Sequence, residues 1–447
     1  MRDFVVLAII LGSVPICLVN PYFGILMWFW VTYFNPHKFA WSYAHNFPVA
    51  MCVALPTLAG FAFAKKSFDA LKTFQSALLM GLWAWFILDY FHAKNVPLFA
   101  GNMPDAVYEI DHMTKILVMT FVMAIVITSQ ERLRGVFLVS ALSLGLLALK
   151  ASVFGFRTSG ETRVYGPPDS FLEENNAFAI ALNMCLPILF LLARNEPRKW
   201  LRILLRFLFV VSIAGVLLTY SRGGLVGLAF VIAALILRSK HKSVGAFFLV
   251  CAAFLVVALA PPSWINRMGG FMGGNFDGSA EMRFISWGTA WNLSHDYPLT
   301  GGSFYVLQNV DVYQRYQPRP LPNGVLSSGP HSIYFQLLAD QGFVGLGLFL
   351  LLIGSCFWTL HSIRRVARRV PPLNWLVDYS LMIEISILAF MTSGAFLGFV
   401  YIDVIYQMIG LTIALKVLMR KELLAHVSQI EFRRAEAPAL DAVPSTT

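Results

Sequence analysis

The chain has 447 residues and a formal net charge of +10, with 57% hydrophobic residues and only 13% charged. A soluble domain usually carries about 25% charged residues, so the composition excludes an ordinary soluble globule. The short alternating strands of a transmembrane barrel are also missing, so an apolar run long enough for a bilayer has to be a helix.

Apolar segments fall at about 4–19, 22–34, 49–64, 74–91, 115–129, 134–152, 176–193, 203–220, 223–238, 245–260, 332–360, 378–396 and 402–419. The expected fold class is an all-α integral membrane protein with 12 or 13 transmembrane helices. The first two segments are joined by Asn20-Pro21 and form either one broken crossing or two, which leaves the side of the N-terminus open. Segment 4–19, after Arg2, resembles a signal-peptide core, but no convincing cleavage site follows and it reads as a retained span. The five cysteines, Cys17, Cys52, Cys185, Cys251 and Cys356, lie in apolar runs and read as small hydrophobes.

From the third segment onward every second loop is basic: Lys65, Lys66 and Lys72; Arg132 and Arg134; Arg194, Arg198, Lys199, Arg202 and Arg206; Arg238, Lys240 and Lys242; Arg364, Arg365, Arg368 and Arg369; Arg420 and Lys421. Such loops face the cytoplasm, so the positive charge reads as topology rather than as a nucleic-acid surface. The loops at 92–114, 154–175, 220–223, 261–331 and 397–401 then face outward. Residues 1–426 make up the polytopic domain, and the polar segment 427–447, with Pro438 and Pro444, is expected to be a disordered cytoplasmic tail. No internal repeat is visible.

The long loop 261–331 is functional by expectation, because structureless loops of this length are uncommon otherwise. Its start is rich in glycine, with Gly269, Gly270, Gly273, Gly274 and Gly278. Residues 280–293 read as a helix, with Arg283, Trp287 and Trp291 on one face, lying along the outer membrane surface.

Three outer arginines break the charge rule: Arg163, Arg222 in the turn Tyr220-Ser221-Arg222-Gly223-Gly224, and Arg283. Each alone either snorkels to headgroup phosphates or has a function; together they suggest a pocket for a polyanion. His331 follows Gly329-Pro330 and begins a long apolar helix, where it either caps the helix or takes a proton from an attacking hydroxyl beside a bound anion. Asp403 and Glu384 are acids in apolar segments; Asp403 lies on the outer, reaction side and Glu384 reads as structural. Lys115 could neutralise phosphate or pair with Asp111. A Walker loop, a zinc cluster and an Asp-x-Asp pair are absent, and Glu109-Ile110-Asp111 is the nearest acidic pair, so arginines rather than a metal are expected to offset any diphosphate.

His331-Ser332-Ile333-Tyr334-Phe335 with Gly342 and Gly345 resembles the His-[Asn/Ser] … Gly-x-x-Gly signature of the O-antigen ligase and polymerase superfamily. Arg283 with Trp287, Pro298-Leu299 and Gly301-Gly302 resembles the preceding segment, Ser221-Arg222-Gly223-Gly224 its Ser-Arg-Gly turn, and Arg163, Gly166 and Asn176 its Arg-x-x-Gly … Asn segment. The resemblance spans roughly 155–415, and Asn20-Pro21-Tyr22-Phe23-Gly24 with Asn35-Pro36-His37-Lys38 resembles a subgroup of O-glycosylation ligases linked to exosortase systems. It implies a GT-C-like bundle in a bacterial inner membrane. It also implies metal-independent, inverting transfer of a glycan from undecaprenyl diphosphate to a hydroxyl on the periplasmic side, with no cofactor. His331 would be the base or would orient the acceptor. Arg222, Arg163 and Arg283 would hold the diphosphate, supported by Lys115, Asn176, Tyr220 and Asp403. Lipid A–core is the expected acceptor; a protein hydroxyl, a polymerase acting on another lipid-linked chain and a transporter of the lipid-linked glycan are the rivals.

Overall fold

The computed structural model describes residues 2–239, 242–269 and 278–436. Every regular element among them is helical: α1 (Arg2–Val19), α2 (Pro21–Phe34), α3 (Val49–Phe63), α4 (Phe74–Ala93), α5 (Met103–Val126), α6 (Gln130–Arg157), α7 (Asn175–Asn195), α8 (Lys199–Leu218), α9 (Arg222–Leu237), α10 (Lys242–Leu259), α11 (Pro262–Gly269), α12 (Gly278–Asp296), α13 (Val310–Tyr316), α14 (Ile333–Ala367), α15 (Trp375–Gly394) and α16 (Asp403–Glu436). Of the loop glycines, Gly270, Gly273 and Gly274 lie outside the described residues.

Each apolar segment read from the sequence coincides with one helix, but the expected 12 or 13 crossings are not all matched by long apolar ones. Among the described residues seven helices are long and apolar enough to cross a membrane: α1, α4, α6, α7, α8, α14 and α15. The shorter α3 and α9 are apolar as well. α5 and α16 differ because charged residues sit within them, Glu109, Asp111 and Lys115 in the first and Asp403, Lys416 and Arg420 in the second.

The first two helices are separate and antiparallel. Asn20 caps α2 through its side chain, accepting from the Phe23 amide at 3.3 Å, and Pro21 opens the helix. The Tyr22 hydroxyl donates to the Arg132 carbonyl at 3.0 Å, so α2 starts beside the start of α6. Arg2 shares a cavity with Lys150 and Phe34, which puts the start of α1 beside the far end of α6 and the end of α2.

α7 is apolar on every side and nearly all buried, as expected of a central helix, and it packs against α6, α8, α9 and α15. α5 begins at Met103, well before the apolar segment at 115. Its buried face, Ala106, Glu109, Met113 and Ile116, has helical spacing, but polar neighbours disguise it as a loop. α16 runs to Glu436, past the boundary at 427 where a disordered tail was expected. Its polar end continues a helix already started by the apolar part, so no new nucleation is needed. Residues 437–447 lie outside the described residues.

The described residues of the long loop are structured. α12 does not simply lie on the membrane: Ile285, Ala290 and Leu293 join Val306, Val312 and Tyr313 in a small second core. Its tryptophan face packs on the start of α14. Trp287 stacks on Phe335 at 5.0 Å and 9°, and Trp291 meets Phe343 edge-on at 6.0 Å.

α14 is broken at Gly342, which has φ +63°. The segment Pro298–Gly302 docks into the break. The Phe343 amide donates to the Pro298 carbonyl at 2.8 Å, and the Gly302 amide to the Ala339 carbonyl at 3.0 Å. A Cβ on Gly342 would lie 2.3 Å from the Leu299 carbonyl oxygen, and one on Gly301 2.4 Å from that of Ala339. Glycine is required where two backbones approach this closely and φ is positive.

Candidate active site

His331 sits between the docked outer loop and α14. Its φ is +45°, in the left-handed region that non-glycine residues rarely adopt. It precedes Ser332, the N-cap of α14, so it lies just outside the helix rather than in its first turn. Two contacts hold it. Trp287 Nε1 donates to the Pro330 carbonyl at 2.7 Å. On the other side, a Cβ on Gly398 would lie 3.4 Å from both the α-carbon and the nitrogen of His331. Burial, and then the nearby positive charge of Arg283, lower the pKa of the imidazole below its ordinary value. The ring is therefore uncharged near neutral pH and keeps a lone pair for a proton.

A cavity of about 950 Å³ opens beside it, lined among others by Tyr108, Glu109, His112, Asp169, Glu174, Tyr305, His331, Gln336, Asp340 and Tyr401. The Tyr305 hydroxyl donates to Glu109 at 2.9 Å and the Tyr401 hydroxyl to Asp340 at 3.0 Å. The Val306 amide donates to the other Asp340 oxygen at 3.2 Å. Burial pushes both phenols well above their usual range, so they remain donors. Burial also raises the Glu174 carboxyl. Asp169, at the outer edge, is met by His45 at 2.9 Å and Lys38 at 3.5 Å.

This lining differs from the expected single arginine pocket. None of Arg163, Arg222, Arg283 or Lys115 is among the lining residues, which carry carboxylates, phenols and imidazoles instead. Arg283 acts on His331 through its field. Arg222 opens α9 in a turn held by Ser221, whose hydroxyl accepts from the Gly224 amide at 3.0 Å and donates to Asn176 at 2.7 Å. Asn175 donates to the Thr219 carbonyl at 2.7 Å, and the Val164 amide to the Leu218 carbonyl at 3.1 Å. Arg163, Asn176, Tyr220 and Arg222 thus share one corner of the bundle. Tyr220, with φ +57°, bonds the Gly160 carbonyl and the Ser263 hydroxyl.

The corner and the histidine flank the same dipeptide. Leu397 fits against Gly223, where a Cβ would lie 2.7 Å from Leu397 Cγ, and the next residue, Gly398, fits against His331. Lys115 pairs with Asp111 on an exposed face of α5. Asp403 is buried, 3.7 Å from His112 Nε2. Glu384 pairs with Arg238 at 2.7 Å and with Arg364.

Sequence reasoning passed over Asp340, although an acid in an apolar run carries the same signal that singled out Asp403. It also left Tyr305, Tyr401 and Glu174 unassigned, and nothing local in the chain marks them.

Fold and site together define an all-helical, multi-pass membrane protein in which the described part of the long loop lies over a polar cavity. Residues 207–350 match the family described as O-antigen ligase. That match covers one stretch of the chain and supports a place in the O-antigen ligase superfamily and a function of the ligase and glycosyltransferase type. Arg222, Arg283 and His331 lie inside the match. Residues 1–196, with Arg163 and Asn176, match a family of unknown function, DUF5935. No curated protein matches the chain.

Proposed function

We propose that this protein moves a glycan from undecaprenyl diphosphate to a hydroxyl of lipid A–core, on the periplasmic side of a bacterial inner membrane. The observation that carries the reading is His331: uncharged, held in a left-handed conformation and open to the polar cavity. Backbone held in a sparsely populated region costs roughly 1–3 kcal/mol and is concentrated at functional sites.

The cavity suits an acceptor sugar. Carboxylates and phenols accept and donate hydrogen bonds to hydroxyls, and they repel a polyphosphate. The diphosphate is assigned to the cationic corner of Arg222 and Arg163, with Arg283 near the histidine. His331 takes the proton of the acceptor hydroxyl as its oxygen bonds to the anomeric carbon. The bond from that carbon to the diphosphate breaks with its electron pair, on the opposite face, which inverts the centre. Charge growing on the departing diphosphate meets guanidinium groups already in place. Asn176 and Tyr220 brace the turn that carries Arg222, Asp403 supports His112, and Lys115, tied to Asp111, stays outside the phosphate set.

The test is transfer by the purified protein from a defined lipid-linked glycan, offered lipid A–core or an acceptor protein, with chelator and no added divalent metal. Product on lipid A–core with inverted anomeric configuration is expected. Product on protein alone would reject the acceptor, and flipping of the glycan without any product would reject transfer.

A further inference from the structure

A separate cavity, of about 650 Å³, lies where α9 and α14 finish against α15. It is lined by Arg238, Arg364, Arg365, Arg368, Arg369 and His361, with Leu237 and Leu381 at its edges. The charges do not cancel. Glu384 meets Arg238 and Arg364, and Arg364 is further fixed by the Ser380 hydroxyl at 3.1 Å. Arg365, Arg368 and Arg369 have no carboxylate within ion-pair distance among the described residues. The C-terminal ends of α9 and α14 add about half a negative charge each. Five guanidinium groups against one carboxylate and two helix ends leave about +3 in one concavity. Converging like charges of that size call for a bound anion.

The position selects which anion. The arginines sit at and just past the C-terminal ends of two apolar helices, on the side that carries the basic loops, where the charge rule puts lipid headgroups. Leu237, which is 66% exposed, and Leu381 line the pocket beside the arginines, so part of its rim is apolar. A ligand with a phosphate head and hydrocarbon tails satisfies both parts, whereas a free phosphate satisfies only the first. We propose that this pocket binds the phosphate of an anionic phospholipid from the leaflet on that side. The site is separate from the His331 cavity and does not depend on the transfer reaction.

The experiment uses the full chain in neutral-lipid nanodiscs, measuring bound phosphatidylglycerol or diphosphatidylglycerol by native mass spectrometry and the accompanying rise in melting temperature. The triple variant R365Q/R368Q/R369Q is expected to lose roughly 100-fold in anionic-lipid affinity, the scale of three basic residues at a membrane surface. The matched triple R198Q/K199Q/R202Q, in another basic loop, is expected to keep it. The milder R368Q alone should show a partial loss if the triple variant does not fold. Equal losses in both triples, or no loss in R368Q and the pocket triple, would overturn the pocket. Inorganic phosphate or pyrophosphate stabilising the wild type as well as lipid does, with that gain lost in the pocket triple, would overturn the lipid assignment.

Discussion

The indole of Trp287 donates to the carbonyl of Pro330 at 2.7 Å, so α12 grips the chain one residue before His331. The same ring stacks on Phe335 in the first turn of α14. Trp287→Phe keeps an aromatic surface there and removes the donor, leaving the Pro330 carbonyl short of a partner. The loss of one such bond is worth about 1 kcal/mol, so we expect a fall of roughly fivefold in kcat with a small change in Tm. Steady-state transfer at saturating acceptor checks this; an unchanged kcat would mean that the grip does not position the histidine.

The docking of the outer loop into α14 makes a sharper prediction about stability. Gly342→Ala puts a methyl 2.3 Å from the Leu299 carbonyl oxygen at a φ of +63°, so it should destabilise by about 2–4 kcal/mol. Gly347 lies in the same helix with nothing within 4 Å of its would-be Cβ, so Gly347→Ala should be neutral or stabilise by up to about 1 kcal/mol. Melting of the two variants in one detergent gives the comparison, and equal Tm values would refute the docking.

That break also marks the limit of what the sequence makes legible. Periodicity and hydropathy locate the membrane helices because each is a local, continuous signal, and the Ser221-Arg222-Gly223 turn is legible for the same reason. Gly342 looks like any glycine in an apolar helix; only the arrival of Leu299 from the outer loop gives it a purpose. The cavity is less legible still. Glu109, Asp169, Glu174, Tyr305, Asp340 and Tyr401 come from separate parts of the chain, and none has a motif of its own. The arginines were visible as exceptions to the charge rule, but their separation from the cavity lining depends on packing at Leu397 and Gly398.

The pH dependence follows from the surroundings of His331. Burial and Arg283 both favour the neutral ring; Glu109, Asp169, Glu174 and Asp340 line the same cavity. With a lowered pKa, the base is mostly neutral at the free-imidazole value of about 6.5 and is lost as pH falls through its own, lower value. The acid limb of kcat/KM for the acceptor should therefore lie below 6.5 in the wild type. Arg283→Gln removes the positive charge, so the limb should move to higher pH even though the whole profile drops. A limb that stays in place, or moves to lower pH, would contradict the electrostatic link.

The central claim is that His331 takes the proton of the acceptor hydroxyl. Its most direct test is the single-turnover rate of glycan transfer by His331→Ala beside wild type, with donor affinity measured on the same preparations. The account predicts a loss of roughly 100- to 10,000-fold in rate, the usual worth of a general base, with donor binding nearly unchanged. Transfer by His331→Ala at the wild-type rate would contradict it.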